Sequence, residues 1–340
     1  MRRDSAGADT KTGKFRDRKM IPAYFLSAVI YANLLMLLSI GFTFAYLTAK
    51  VPNFAHGAIA GIGIYVCLTV VRILDLDPYV SVPLAFLVCG LVSALIYRGV
   101  IQTLKKRGES LILLSIATVA VEIMIFAAIN IYADYLRGIA GMYARVFLFR
   151  DRDVSILGVP GVFFVSTVLT IGMVATLHLL LTKTKFGIAT RAVVENADLA
   201  VTLGIDAEHV SLVSWLITGG LAGVAGSLLP LWFQSLPGTG AGLMTSVFSA
   251  SVVGGMSSIY GAMVGGYIIG LTEILGTIFL MDIFGLWIAP YRPLVPLIAM
   301  FIILLGATQG IAGVVEKVQA SRIKRVAAGS STPAGGGTNA

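Results

Sequence analysis

Charge is what this sequence has least of. Only 12% of its 340 residues are Asp, Glu, Lys or Arg, about half the share expected of a soluble globular protein. With 57% hydrophobic residues and a mean hydropathy of +0.91, the chain is an integral membrane protein. The apolar–polar alternation of an outer-membrane barrel is missing, so the spans are helical. Histidine is scarce too: His56, His178 and His209 are scattered, and neither a His-Glu-x-x-His nor a paired Cys-x-x-Cys occurs. Five residues separate Gly7 from Gly13 and Phe15 follows Lys14, so there is no phosphate-binding loop. An enzyme reading fails on this inventory, and the chain itself is expected to hold no metal or cofactor and to hydrolyse no ATP. Cys67 and Cys89 both fall within apolar runs, where a small hydrophobe is the favoured reading over a disulfide. The first twenty residues lack the apolar core and small-residue cleavage site of a secretory leader.

What is present is a series of apolar runs, at about 21–49, 54–74, 80–104, 110–134, 161–182, 211–236, 240–257, 259–281 and 291–315. Most approach the roughly 20 residues needed to cross the bilayer as helix. This divides the chain into a basic tail (1–20), a transmembrane domain (21–315) and a polar tail (316–340) rich in Ala, Gly, Ser and Thr that reads as disordered. The positive-inside rule puts the N-terminal tail, Lys105-Lys106-Arg107, the 183–210 connection and the C-terminal Lys and Arg residues in the cytoplasm. Five runs separate the first tail from 183–210, so one of them is expected not to be a full crossing. The run after Asn53-Phe54-Ala55-His56-Gly57 is the candidate, because Lys50, Pro52, Asn53 and His56 are costly in lipid unless protein or a cavity covers them. The expected architecture is an all-α bundle of about eight full crossings, both termini cytoplasmic, with a re-entrant or broken helix near 50–74.

The 183–210 connection carries its own pattern. Arg191, Glu195, Asp198 and Thr202 fall at steps of four, three and four, predicting one helical face across Thr190–Leu203, with Val193, Ala197, Ala200 and Val201 on the other. Gly204 suits a left-handed corner that folds Ile205 back toward Ala200, and Asp206 suits the N-cap of the next helix.

Small residues four apart, at Gly219 and Gly223, Ala222 and Gly226, Gly261 and Gly265, and Gly266 and Gly270, predict close helix packing. Glu122 and Glu273 lie near the middle of their runs, either as a proton relay or as hydrogen-bonding ties between helices. If they are ties, glutamine at either position preserves uptake, since the amide keeps shape and most bonding capacity. Asn53 and His56 are open to two readings, a polar lining for a substrate path or a link that satisfies broken backbone.

The Asn53-Phe54-Ala55-His56-Gly57 stretch resembles the signature of the branched-chain amino acid ABC transporter permeases of the LivH type. The resemblance covers about 30–315 and continues through Lys185-Phe186-Gly187, Arg191-Ala192, Glu195-Asn196-Ala197, Leu203-Gly204-Ile205, Gly254–Ala262 and Gly270-Leu271-Thr272-Glu273. It implies a type II-like importer permease in the cytoplasmic membrane of a prokaryote. It also implies a second homologous permease, two ABC ATPase subunits that bind ATP and Mg, and an external solute-binding protein; the polar residues read above make Asn53, His56, Gly57, Glu122 and Glu273 the expected substrate path. The family's cytoplasmic coupling helix, a Glu-Ala-Ala followed after three residues by Gly, is similar to Asp198-Leu199-Ala200 with Gly204, so Arg191, Glu195, Asp198, Ala200 and Gly204 become the expected ATPase contacts. The usual closing Pro-x-Gly-Leu is replaced by Thr308-Gln309-Gly310-Ile311, and close relatives move urea or short amides. The rival reading is a proton-coupled secondary transporter using Glu122 and Glu273.

Overall fold

The computed structural model describes residues 22–141, 143–156, 158–306 and 310–313. The expectations for the basic tail and for residues 316–340 lie outside the described residues. Among the described residues, seven helical spans are long and apolar enough to cross a bilayer: α1 (Ala23–Ala49), α3 (Pro78–Lys106), α4 (Leu111–Ala140), α5 (Gly161–Lys183), α8 (Ala207–Leu228), α11 (Ile259–Phe284) and the span Leu294–Gly313 that α12 (Leu294–Gly306) opens. Shorter pieces are α2 (His56–Arg72), α6 (Lys185–Glu195), α7 (Ala197–Thr202), α9 (Thr239–Gly242) and α10 (Met244–Gly254). The only strands among the described residues are a two-residue pair, Ser155–Ile156 with Val159–Pro160.

Helix α1 is the hub, buried along nearly its whole length. It runs antiparallel to α8: the Ser211 hydroxyl donates to the Thr48 carbonyl at one end, and Trp232 Nε1 donates to Ser27 Oγ at the other. It runs antiparallel to α11 as well, where a Cβ on Gly266 would lie 2.7 Å from the Met36 Cα and one on Gly270 2.5 Å from the Ala32 Cα. On the other side of α8, Gly219 meets Cys89 and Ser93, and Gly223 meets Ala85, all on α3. Gly261 and Gly265 face the backbone of α10 at Gly254 and Ala250. Side chains at these positions would force the helices apart, so the small-residue spacing sets the interaxial distance.

The connection 183–210 defines one end of the bundle. Lys50 Nζ donates to the Val194 carbonyl, Lys105 Nζ to Ala49, and Lys106 pairs with Glu208 at 3.2 Å. Residues 50–55 then turn back into the bundle, and α2 begins where His56 Nε2 lies 3.1 Å from the Leu38 carbonyl. Leu38 lies eleven residues before the end of α1 at Ala49, so the break is about 16 Å in from the connection end. Helix α2 finishes at the far end, with Arg72 over the Phe149 ring and Asp75 paired with Arg152. The 50–74 segment is therefore half of a discontinuous helix and passes from one end of the bundle to the other.

The 240–257 run, expected as a continuous crossing, is broken too. The chain leaves the far end at Ser235, which pairs with Phe147, forms α9 against α2, and reaches the connection end through α10. Pro237, Gly238, Gly240 and Gly242 account for the interruption, since glycine and proline weaken helix interiors. The triads α1-α2-α3 and α8-α9/α10-α11 thus have the same plan in opposite sense, each with an interrupted middle member, as in an inverted repeat.

This geometry bears on two expectations. Counting both interrupted segments, the described residues pass nine times between the two ends of the bundle, so 50–74 takes the broken-helix form of the expectation and not the re-entrant one. The start of α1 and Gly310, beyond α12, also lie at opposite ends, because Ser27 sits beside Trp232 whereas Gly310 packs on Val252 and Gly255 near the connection end. The parity argument put the start of the first helix on the side of the 183–210 connection, whereas α1 starts at the far end beside Trp232. In a cysteine-free background, Tyr24→Cys and Asp75→Cys should be labelled by an impermeant maleimide from one side and Lys106→Cys from the other. Labelling of Tyr24→Cys together with Lys106→Cys would refute this arrangement.

Candidate functional site

The two interrupted segments meet in the middle of the bundle. A Cβ on Gly57 would lie 2.5 Å from the Gly240 oxygen, and one on Gly240 would lie 2.5 Å from both the Gly57 oxygen and the Gly61 nitrogen. Glycine is required here for backbone approach. Around this crossing the polar groups are buried and incompletely satisfied. Both amide atoms of Asn53 and the Nδ1 of His56, at the break itself, are buried with no hydrogen-bond partner among the described residues. Buried orphans of this kind carry a desolvation penalty of about 1–3 kcal/mol each, so these two side chains suit a polar group brought to the break. Aromatic rings close it: Phe42 stands 6.3 Å from the His56 ring and 6.1 Å from Phe248, which in turn lies 6.2 Å from Phe54.

Thr118 of α4 ties the break to its neighbour. It accepts from the Phe54 N–H at 3.1 Å and lies 3.3 Å from the Pro52 carbonyl. Glu122, half-buried, is one turn further along that face of α4, above the stretch where Ile125 and Ile129 meet Ile62 and Tyr65 of α2. The structure therefore brings Asn53, His56, Gly57 and Glu122 to one region. The His56 N–H donates to the Asn53 carbonyl at 3.1 Å, and the next first-turn amides of α2, at Gly57 and Ala58, have no intrahelical partner, so the helix start favours an anionic group.

Glu273 belongs elsewhere. Its carboxylate, 4% exposed, accepts from Arg292 Nε at 2.7 Å and from the Tyr31 hydroxyl at 2.9 and 3.0 Å. The Arg292 guanidinium lies 4.2 Å above the Tyr31 ring and 5.9 Å from that of Phe233. Burial opposes its charge, but Tyr31 and Glu273 outweigh that and hold Arg292 above its ordinary range. Glu273 is thus a tie joining α1, α11 and the start of α12. Sequence reasoning missed Arg292, which lies between Pro290 and Pro293 at the start of the 291–315 apolar run.

At the connection end, the predicted helix over Thr190–Leu203 is two helices. Asn196 adopts φ −153° and ψ 105°, ends α6 by donating to the Ala192 carbonyl, and caps α7 by accepting from the Leu199 N–H at 3.0 Å. An asparagine that caps its own downstream helix competes with the through-helix, which is why the spacing misled. The four polar residues are split, with Arg191 and Glu195 on α6 and Asp198 and Thr202 on α7. Of the predicted apolar face, Val193 and Ala200 are buried with Val210, whereas Ala197 and Val201 are exposed. Gly204 takes φ +82°, with its N–H on the Val201 carbonyl and that of Ile205 on the Ala200 carbonyl, closing a left-handed corner. Asp206 caps α8 through the N–H groups of Glu208 and His209. Ile188, Leu199, Val201 and Leu203 are left exposed on this element, 57–72% accessible.

The family model described as branched-chain amino acid transport system, permease component, matches residues 24–305. The probable branched-chain amino acid transport permease protein LivH of Methanocaldococcus jannaschii is 45% identical over 287 residues, covering 84% of this chain and 91% of its own. The high-affinity branched-chain amino acid transport permeases BraD of Pseudomonas aeruginosa and LivH of Escherichia coli are 27% and 28% identical, covering 83% and 87% of this chain and 93% and 98% of theirs. The autoinducer 2 import system permease LsrC of Escherichia coli is 30% identical over 79% of this chain and 73% of its own. No solved structure matches. These relatives are transport permeases and not enzymes, and with the model matched from 24 to 305 this chain belongs to the branched-chain amino acid transport permease family.

Proposed function

We propose that this chain is the membrane-spanning permease subunit of an ATP-driven importer for branched-chain or other hydrophobic amino acids, paired with a second permease, two ABC ATPases that hold ATP and Mg, and an external binding protein. The observation that carries the reading is the 183–210 connection. Its two short helices anchor through Val193 and Ala200 but present Ile188, Leu199, Val201 and Leu203 outward beside Asp198. Apolar side chains exposed on a water-facing element mark a docking surface, and a groove on each ATPase is its counterpart. Movement of that groove would be passed through the Gly204 corner to α8 and through Thr184 to α5 as a rigid-body shift. Substrate would contact the break at Asn53 and His56, where α2 amides suit a carboxylate and Phe42, Phe54 and Phe248 suit an apolar side chain. With the connection on the ATPase side, α1 begins on the external face of a prokaryotic cytoplasmic membrane. Glu273 is held by Arg292 and Tyr31 as a tie between helices, an arrangement that favours a structural role over a proton relay there. The family also contains a permease named for autoinducer 2, so urea, short amides and other small polar solutes are the alternative cargo.

The test is to change the corner and the acid. Gly204→Val meets no neighbour within 4 Å, so its cost is confined to the positive φ, about 1–2 kcal/mol of backbone strain. Asp198→Lys reverses an exposed charge without touching the core. Both variants should insert normally, fail to retain the ATPase on copurification, and lose ATPase stimulation and uptake together. Uptake at the original rate in vesicles supplied with ATP would refute the coupling role.

A further inference from the structure

A cavity of ≈ 410 Å³ opens between the 183–210 connection and the bundle, within the roughly 300–1,000 Å³ typical of small-molecule sites. Its walls have three kinds of chemistry. Arg191 and Glu195, one turn apart on α6, both line it, and neither forms an ion pair among the described residues. Opposite them, Ser258 caps α11 by accepting from the Gly261 N–H at 3.2 Å. Ile259 and Tyr260, also lining residues, supply first-turn amides that have no intrahelical partner. The inner wall is apolar, made by Phe44 and Leu47 of the buried hub helix with Leu181 and Val194.

We propose that this cavity binds a free α-amino acid with an apolar side chain, entering from the side of the 183–210 connection. The Arg191 guanidinium and the start of α11 form the carboxylate end, because both a guanidinium and a helix N-terminus favour an anion. Glu195 forms the ammonium end. The inner wall takes the side chain, and the pairing of opposite charges on one helix face excludes solutes with a single charge. Binding here fastens α6 to the start of α11 and the end of α1. On the reading of the connection as the ATPase seat, an amino acid accumulated on that side slows its own import, since the connection must move relative to the bundle.

The test uses L-leucine itself, titrated onto the purified full chain in detergent with no ATPase or binding protein present. Leucine should bind, whereas isocaproate and isoamylamine, each lacking one charge, should not compete. Arg191→Gln and Glu195→Gln, both on exposed positions, should each weaken binding about tenfold or more through loss of a charge-assisted contact, while Glu109→Gln, an exposed acid that does not line the cavity, should leave it intact. No binding to the unaltered chain, or binding kept in both α6 variants, would overturn the site. In vesicles carrying the complete transporter, leucine on the ATPase side should lower ATPase turnover as the site fills. Undiminished turnover with the site filled would overturn the braking role, and because binding is measured without ATPases, that failure is separable from failure of the coupling reading.

Discussion

Gly240→Ala should abolish transport, whereas Gly242→Ala, two residues away in the same short helix, should leave it at the original rate. The added methyl at 240 meets the Gly57 oxygen and the Gly61 nitrogen at 2.5 Å and the Gly61 Cα at 2.6 Å. All three are backbone atoms that cannot rotate away, so the two interrupted segments must separate. Overpacking against flexible side chains costs about 1–3 kcal/mol, and rigid neighbours put this substitution at about 3 kcal/mol or more. At 242 nothing lies within 4 Å of the new Cβ and the backbone is not left-handed, so alanine is neutral or stabilising by about 0.5 kcal/mol. Thermal unfolding of the purified permease and uptake in reconstituted vesicles measure the pair. Equal behaviour of the two variants would mean that the interrupted segments do not cross at Gly57 and Gly240.

That crossing shows which parts of the molecule could be read directly. The spans were legible because lipid demands long apolar helices, and the break at Asn53–His56 because its residues are expensive in lipid. Gly204 and Asp206 were legible because a left-handed corner and an N-cap each have a local chemical requirement. The second break was harder to see. Pro237 and the glycines that follow were available as a signal, but Leu243–Gly254 is apolar enough to read as the remainder of a span. The split at Asn196 was hidden because polar residues kept helical spacing across it, while an asparagine followed by Asp198 in a first turn was the signal of a new start. That α1 starts at the end opposite the 183–210 connection was not legible from the charge on the tail before it, because the direction of α1 is set by packing against α8 and α11. Arg292 could not be found by periodicity at all, since it meets Glu273 only after the chain doubles back nineteen residues later.

Arg292 also changes what Glu273→Gln should do. As a hydrogen-bonding tie alone, Glu273 would tolerate glutamine, which still accepts from Tyr31. With Arg292 Nε at 2.7 Å, the amide leaves a guanidinium held against Tyr31 and Phe233 without its counter-charge. Removing one partner of a buried pair costs about 3–5 kcal/mol. The expected loss is near the lower end, about 3 kcal/mol, because the Arg292 side chain retains 30% exposure whereas that of Glu273 retains 4%. Arg292→Met should cost more, since it abandons the more buried charge. The double variant Glu273→Gln/Arg292→Met should recover most of the loss, because a pair replaced by neutral groups of similar size no longer carries a desolvated charge. Thermal unfolding of the four proteins closes the cycle, and uptake should follow stability and not external pH. If Glu273→Gln unfolds with the unaltered protein but loses uptake in a way that tracks a proton gradient, the carboxylate is a proton carrier and the tie between α1, α11 and α12 is not its role.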